Sequence, residues 1–170
     1  MTELALPKID KKTIEKKDYI FKSLAKIINP EYVLSHKDEI KPYETDGLSA
    51  YKQTPLAVVM PENTKEVSRI LKFCYEENIK VVPRGAGTGL SGGALPLQDA
   101  VLLSLGKFNK ILDIDFENKC VVTQPGVTNL GLTHAVQHKG FYYAPDPSSQ
   151  LACSIGGNVA ENSGGVHSLK

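Results

Sequence analysis

The sequence predicts a mixed helix-and-sheet fold, a small mixed sheet with a helix on one face. Three observations carry this. Leu56-Ala57-Val58-Val59-Met60, an amphipathic stretch after Asn63, and the run 79–83 read as strand, helix and strand in succession. The run Ala100-Val101-Leu102-Leu103-Ser104-Leu105 is too short and too continuous for an amphipathic helix and reads as a buried strand. Between these strands lies a ten-residue segment, Arg84-Gly85-Ala86-Gly87-Thr88-Gly89-Leu90-Ser91-Gly92-Gly93, with five glycines.

The elements follow in order. Residues 1 to about 17 are lysine-rich and expected to fray. Tyr19-Ile20-Phe21 through Ile27-Ile28 has helical spacing and stops at Asn29-Pro30, and a second short helix is expected over 31–41. Pro42-Tyr43-Glu44-Thr45-Asp46-Gly47 reads as a turn. Asn63 or Thr64 caps a helix whose Val67, Ile70, Leu71 and Cys74 fall at i, i+3, i+4 and i+7, and Asn78 ends it in the left-handed conformation. Ile111-Leu112-Asp113-Ile114-Asp115 alternates as a half-exposed strand, Asn118 turns the chain, and 119–124 returns as another strand. Pro125-Gly126 breaks it. Thr128 or Asn129 caps a helix through Lys139, with Gly140 at its end.

Composition excludes several classes. The 170 residues suffice for one domain with a core. Lys+Arg 20 against Asp+Glu 19 leaves a net charge of +1, which gives no basic footprint for nucleic acid or an anionic membrane. The apolar runs fall far short of the ~20 residues of a membrane span. The N-terminus lacks the apolar core of a signal peptide, so a cytoplasmic location is expected, with attachment at the inner membrane only through partner subunits. Cys74, Cys120 and Cys153 are too scattered for a metal site; Cys74 and Cys120 read as core residues. His134 and His138 share a helix at i, i+4 without a third ligand, and read as an exposed face.

The glycine loop points to an anion. Without Cβ atoms the backbone can turn successive N–H groups inward around a phosphate, and Arg84, Thr88 and Ser91 add donors. Gly87-Thr88-Gly89-Leu90-Ser91-Gly92 fits G-x-G-x-x-G, but a dinucleotide turn of that kind needs a helix to follow. Here Gly93-Ala94-Leu95-Pro96 follows, and Pro96 breaks any helix in its second turn. The loop therefore joins strand to strand. A second segment, Pro145-Asp146-Pro147-Ser148-Ser149-Gln150 continuing to Gly164-Gly165, reads as a rigid turn followed by a surface loop. Its Gly156-Gly157 and Gly164-Gly165 pairs permit close approach to a flat or charged group, and Asn158, Asn162 and Ser163 offer short polar side chains.

The two glycine segments together resemble the FAD-binding domain of the vanillyl-alcohol oxidase and p-cresol methylhydroxylase superfamily. Within it they are most similar to the flavoprotein subunit of bacterial glycolate oxidase and its D-lactate dehydrogenase relatives. The resemblance runs from about residue 43 to residue 170 and implies an α+β FAD-binding domain of the p-cresol methylhydroxylase type over 43–170, after an N-terminal helical extension over 1–42. It implies a complete first subdomain, a second truncated at the C-terminus, and a substrate cap that this sequence lacks, so no catalysis is expected from this fragment alone. The implied cofactor-binding residues are Arg84, Gly85, Ala86, Gly87, Thr88, Gly89, Leu90, Ser91 and Gly92 around the pyrophosphate. Pro145, Asp146, Ser148, Ser154, Gly157, Asn158, Asn162, Gly164 and Gly165 would run along the flavin and ribityl chain. Asp146 reads equally as a turn stabiliser, and His167 as a structural histidine near the second glycine pair.

Some relatives attach the flavin covalently through a histidine in the first loop. Residues 84–94 hold no His, Cys or Tyr, so noncovalent FAD is expected. The implied reaction is oxidation of a small 2-hydroxy acid, glycolate or D-lactate, with electrons leaving through an iron–sulfur subunit or a quinone. The catalytic base and the carboxylate-binding arginine would sit on the cap. Two other readings stand beside this one: a non-catalytic remnant or accessory flavin-binding subunit, and an NADPH-dependent cell-wall precursor reductase of the same superfamily.

Overall fold

The computed structural model describes residues 7–167. Its main sheet has four strands in the order β1-β2-β4-β3: β1 (Val33–Leu34), β2 (Ala57–Val59), β3 (Lys80–Arg84) and β4 (Ala100–Ser104). β1 runs antiparallel to β2, and β2, β4 and β3 are mutually parallel, with Val58 opposite Leu102 and Pro83 opposite Leu103. All five residues of β4 are buried, as befits a strand flanked on both sides. β3 is an edge strand, which is why Pro83, without an N–H, is tolerated in it.

Strand periodicity divides the core. Val59, Val101 and Leu103 face a cluster built with Ile20 and Leu24 of α2 (Lys17–Leu24) and Ile70 and Cys74 of α4 (Thr64–Glu76). Val58 and Leu102 point the other way, onto Ile40 of α3 (Lys37–Ile40). The first cluster draws residues from before position 42 and after it into one packed unit. Burial pushes the Cys74 thiol up to about 11. α4 begins at Asn63, whose side chain accepts from Glu66 N, and ends before Asn78, which takes the left-handed conformation at φ 56°.

The second half is smaller. β5 (Ile111–Asp115) and β6 (Cys120–Thr123) form an antiparallel hairpin. Ile111 and Val121 pack on a cluster of Val127, Leu132 from α5 (Asn129–Val136), and Ile155 from α6 (Ile155–Glu161). Thr128 caps α5, and Gly140 takes φ 76° after the short 3₁₀ turn that continues it.

Four expectations are corrected. Residues 11–15 form α1 (Lys11–Glu15), capped by Asp10 and anchored where Asp10 N and Lys80 Nζ both donate to the buried Asp99 carboxylate, at 2.7 Å each. The fraying expected of residues 1–6 lies outside the described residues. The helix expected over 31–41 is instead a 3₁₀ turn, β1 and α3. Cys120 is exposed, because it opens β6 on the side away from the cluster. The loop expected over 145–165 contains α6.

Candidate functional site

The first glycine loop leaves β3 and returns at β4 with no helix between, as the position of Pro96 predicts. Its shape is held from inside by Arg84. The guanidinium donates Nη1 to Thr45 O at 2.7 Å and to Ala94 O at 3.4 Å, and lies 5.7 Å from the centre of the Tyr43 ring. Burial lowers the Arg84 pKa, while neighbouring Asp46 and Tyr43 act in the opposite direction. The guanidinium occupies the place where Gly87 would carry a Cβ, and Gly87 has φ +73°, so both space and conformation demand glycine there. Arg84 is thus committed to backbone carbonyls. Within the described residues, no hydrogen bond is donated by the backbone amides of 86–91.

The second segment is pinned from beneath. Asn129, fully buried, donates Nδ2 to Pro145 O at 2.9 Å, and its own N–H donates to Cys153 O at 3.1 Å. At the start of α6, Ile155 N donates to Val127 O and Gly156 N to Pro125 O, both at 2.8 Å. Gly156 lies so close to Pro125 that a Cβ would meet the proline ring at 2.6 Å. α6 ends at Asn162, left-handed at φ 53°.

Between the two segments lies a cavity of about 860 Å³, within the range of ~300–1,000 Å³ that holds small molecules and cofactors. Gly85, Thr88, Ser91, Ser148, Ser154 and Asn158 are among its walls. Ser154 Oγ and Asn158 Nδ2 are buried there without a hydrogen-bond partner. Two orphaned polar atoms in one wall are costly unless a ligand completes them. Gly85 lets the loop close over Ser154, whose Oγ sits where a Cβ would stand. The charged residues of the lining are Arg84, already engaged, and Glu161, whose carboxylate lies against Gly89. An anion here would be held by backbone amides and hydroxyls more than by net charge.

The cavity gathers Arg84, Gly85, Ala86, Gly87, Thr88, Gly89, Leu90, Ser91, Ser148, Ser154, Gly157 and Asn158 from two distant stretches of chain. Gly92, Pro145, Asp146, Asn162, Gly164 and Gly165 stand outside its walls. Pro145, Asp146 and Gly165 do framework work behind it: Pro145 O accepts from Asn129, and Asp146 pairs with Gly165. Sequence reasoning missed Asp46 and Gly47. The buried Asp46 carboxylate accepts from Leu48 N at 2.9 Å and Ala94 N at 3.3 Å, and a Cβ at Gly47 would lie 2.6 Å from the carbonyls of Thr88 and Gly89. The Asp-Gly pair marked a turn; nothing local marked it as the brace of a loop 40 residues downstream.

The cavity suits a cofactor with phosphate and polyol character: free amides, unpartnered Ser154 and Asn158, and glycines where a Cβ would intrude. Residues 55–170 match the family described as FAD binding domain. The sequence is 51% identical over 166 residues to the glycolate oxidase subunit GlcD of Escherichia coli (strain K12), covering 98% of this chain and 32% of that relative. It is 38% identical over 171 residues to the D-lactate dehydrogenase of Anaerostipes hadrus, covering 100% of this chain and 34% of that relative. The chain thus spans about a third of the length of the curated relatives it matches. Among solved structures, alkyldihydroxyacetonephosphate synthase aligns with TM-score 0.75 at 20% identity, over 93% of this chain and 30% of that one. p-Cresol methylhydroxylase with substrate bound aligns with TM-score 0.72 at 23% identity, over 89% and 30%. These structures share the fold. The chain belongs to the FAD binding domain family, with the α+β fold of the p-cresol methylhydroxylase type and FAD as its cofactor.

Proposed function

We propose that this chain is the FAD-binding part of a flavin-dependent 2-hydroxy-acid oxidoreductase acting on glycolate or D-lactate in a longer protein. The observation that supports the cofactor part is the pair of buried, unpartnered polar atoms, Ser154 Oγ and Asn158 Nδ2, in a cavity between two glycine segments; the 2-hydroxy-acid part rests on the similarity to a glycolate oxidase subunit and a D-lactate dehydrogenase. FAD, when bound, supplies the two-electron acceptor that converts a 2-hydroxy acid to the 2-oxo acid. The chain's own residues hold and orient it. The amides of 86–91, with Thr88 and Ser91, take the pyrophosphate; Ser148, Ser154 and Asn158 take the ribityl chain and flavin edge; Gly157 leaves room for close approach. Asp146, Gly164 and Gly165 set the path of the second segment.

No side chain of the first loop offers a covalent link, so FAD is held noncovalently. A relative named as a subunit of glycolate oxidase supports association with partner subunits; an iron–sulfur electron carrier among them is part of the proposal. Among the described residues no helix is long and apolar enough to cross a membrane, which agrees with any membrane attachment running through those partners. The test is direct. The 170-residue chain is incubated with FAD, desalted and titrated. Retained flavin absorbance is expected, and Asn158→Ala should weaken binding by roughly tenfold through loss of one buried hydrogen bond. Equal affinity in wild type and Asn158→Ala would show that FAD does not occupy this cavity.

A further inference from the structure

Behind the cavity, the two ends of the second segment are fastened to each other. Asp146 N donates to Gly164 O at 2.8 Å, and Asp146 pairs with Gly165 in a parallel bridge. The Asp146 carboxylate then accepts twice from one residue: His167 N reaches Oδ1 at 3.2 Å, and His167 Nδ1 reaches Oδ2 at 2.6 Å. Gly165 makes the closure possible. It has φ +91°, and a Cβ there would overlap the Asp146 carbonyl. Neither Asp146 nor His167 lines the cavity. The ring they close contains Ser148, Ser154, Gly157 and Asn158, which do.

We infer that Asp146 and His167 are positioning residues that clasp the segment 146–167 and so set its affinity for FAD without touching it; this rests on the FAD-binding reading above. The physical basis is chain entropy. An unfastened segment of this length samples many conformations, and each bond across its ends removes some of them before the ligand arrives. The pattern of contacts favours a clasp over an incidental surface pair. The same carboxylate holds both the backbone and the ring of His167. The start and the middle of the segment are independently pinned by Asn129, which donates Nδ2 to Pro145 O and its N–H to Cys153 O. Asp146 ties the return limb, 164–167, to the start of the segment and so closes the stretch 148–163 between them. The His167 side chain is 72% exposed, so packing does not hold it in place; its bond to Asp146 does.

The experiment uses the 170-residue chain and its His167→Ala and His167→Asn variants. FAD affinity is measured by titration, and amide hydrogen exchange is followed without FAD. In His167→Ala, exchange over 148–163 should rise while that of 57–59 and 100–104 stays unchanged, and FAD should bind roughly two- to fivefold more weakly, the scale of one exposed charge-assisted pair. His167→Asn, whose Nδ2 stands at the same place along the side chain as Nδ1 and can still donate to Asp146, should restore both readouts to within about twofold of wild type. Unchanged exchange over 148–163 in His167→Ala overturns the clasp, as does an Asn variant no better than Ala. A wild-type chain that binds no FAD defeats the cofactor reading, and the exchange comparison still decides whether Asp146 and His167 order the segment.

Discussion

The two glycine segments that face each other across the cavity are made rigid by opposite means. The first is held from within, by a half-buried cation: Arg84 lies under Gly87 and donates to Thr45 O and Ala94 O, while Asp46 accepts from Ala94 N. The second is held from without, by its neighbours: Asn129 beneath, Pro125 and Val127 at the start of α6, and Asp146 with His167 at its ends. The difference teaches where each can fail. The first loop rests on one side chain and sits beside the four-stranded sheet, whose central strand is wholly buried. The second rests on several modest contacts over a small cluster of Val127, Leu132 and Ile155.

The sharpest way to break this arrangement is at the point where the segments touch. Gly85→Val places methyl groups where Ser154 Oγ lies, so the segments must separate. Overpacking of this kind costs ~1–3 kcal/mol, and FAD affinity should fall by about tenfold to a hundredfold while far-ultraviolet circular dichroism stays that of wild type. Unaltered affinity would show that the two segments do not close on a common ligand.

Next in size is Arg84→Ala, which tests the internal brace. It leaves carbonyls of Thr45 and Ala94 without their charged donor, a loss of ~1.5–3 kcal/mol for bonds to a charged group. The melting temperature should drop by about 4–10 °C. Arg84→Lys should recover only part of it, since an ammonium on a shorter, flexible stem lacks the planar guanidinium that sets Nη1 between the two acceptors and lies under Gly87. A melting curve identical to wild type would mean the loop is held by Asp46 alone.

The smallest effect separates the two halves by their thiols. Cys74 and Cys153 are buried and Cys120 is exposed, so a thiol reagent at pH 8 should label about one cysteine per folded chain, at Cys120. Cys74, with its pKa near 11, presents almost no thiolate at that pH. Rapid labelling of Cys153 alongside Cys120 would show that the second segment opens over its cluster while the sheet stays closed.

Much of the first half was legible because its signals are local. A continuous apolar run became the fully buried β4, the i, i+3, i+4, i+7 pattern became α4, and Pro96 ruled out a helix after the glycine loop. The second segment was harder because its helix contradicts its own composition. Gly156 and Gly157 are poor helix formers, yet α6 forms there because the buried Ile155 packs on Val127 and Leu132 and Gly156 must lie against Pro125. β1 is two residues long and exists only through pairing with β2, which no window of sequence can register. Cys120 misled for a related reason: alternation tells which strand residues share a face, and packing decides which face is covered.

What the sequence determined by itself is the chemistry of the two segments. Glycines, hydroxyls and amides at those positions specify backbone donors and space for an anionic, flat ligand, because the absence of a Cβ is a property of the residue wherever it lies. What only the tertiary structure decided is how that chemistry is supported. Arg84 turned inward to hold Thr45, Asp46 and Gly47 came to brace a loop far along the chain, and Asp146 met His167 behind the cavity. Those contacts join residues 20 to 50 positions apart, and their existence depends on which elements the hydrophobic clusters bring together, which is settled only when the whole chain packs.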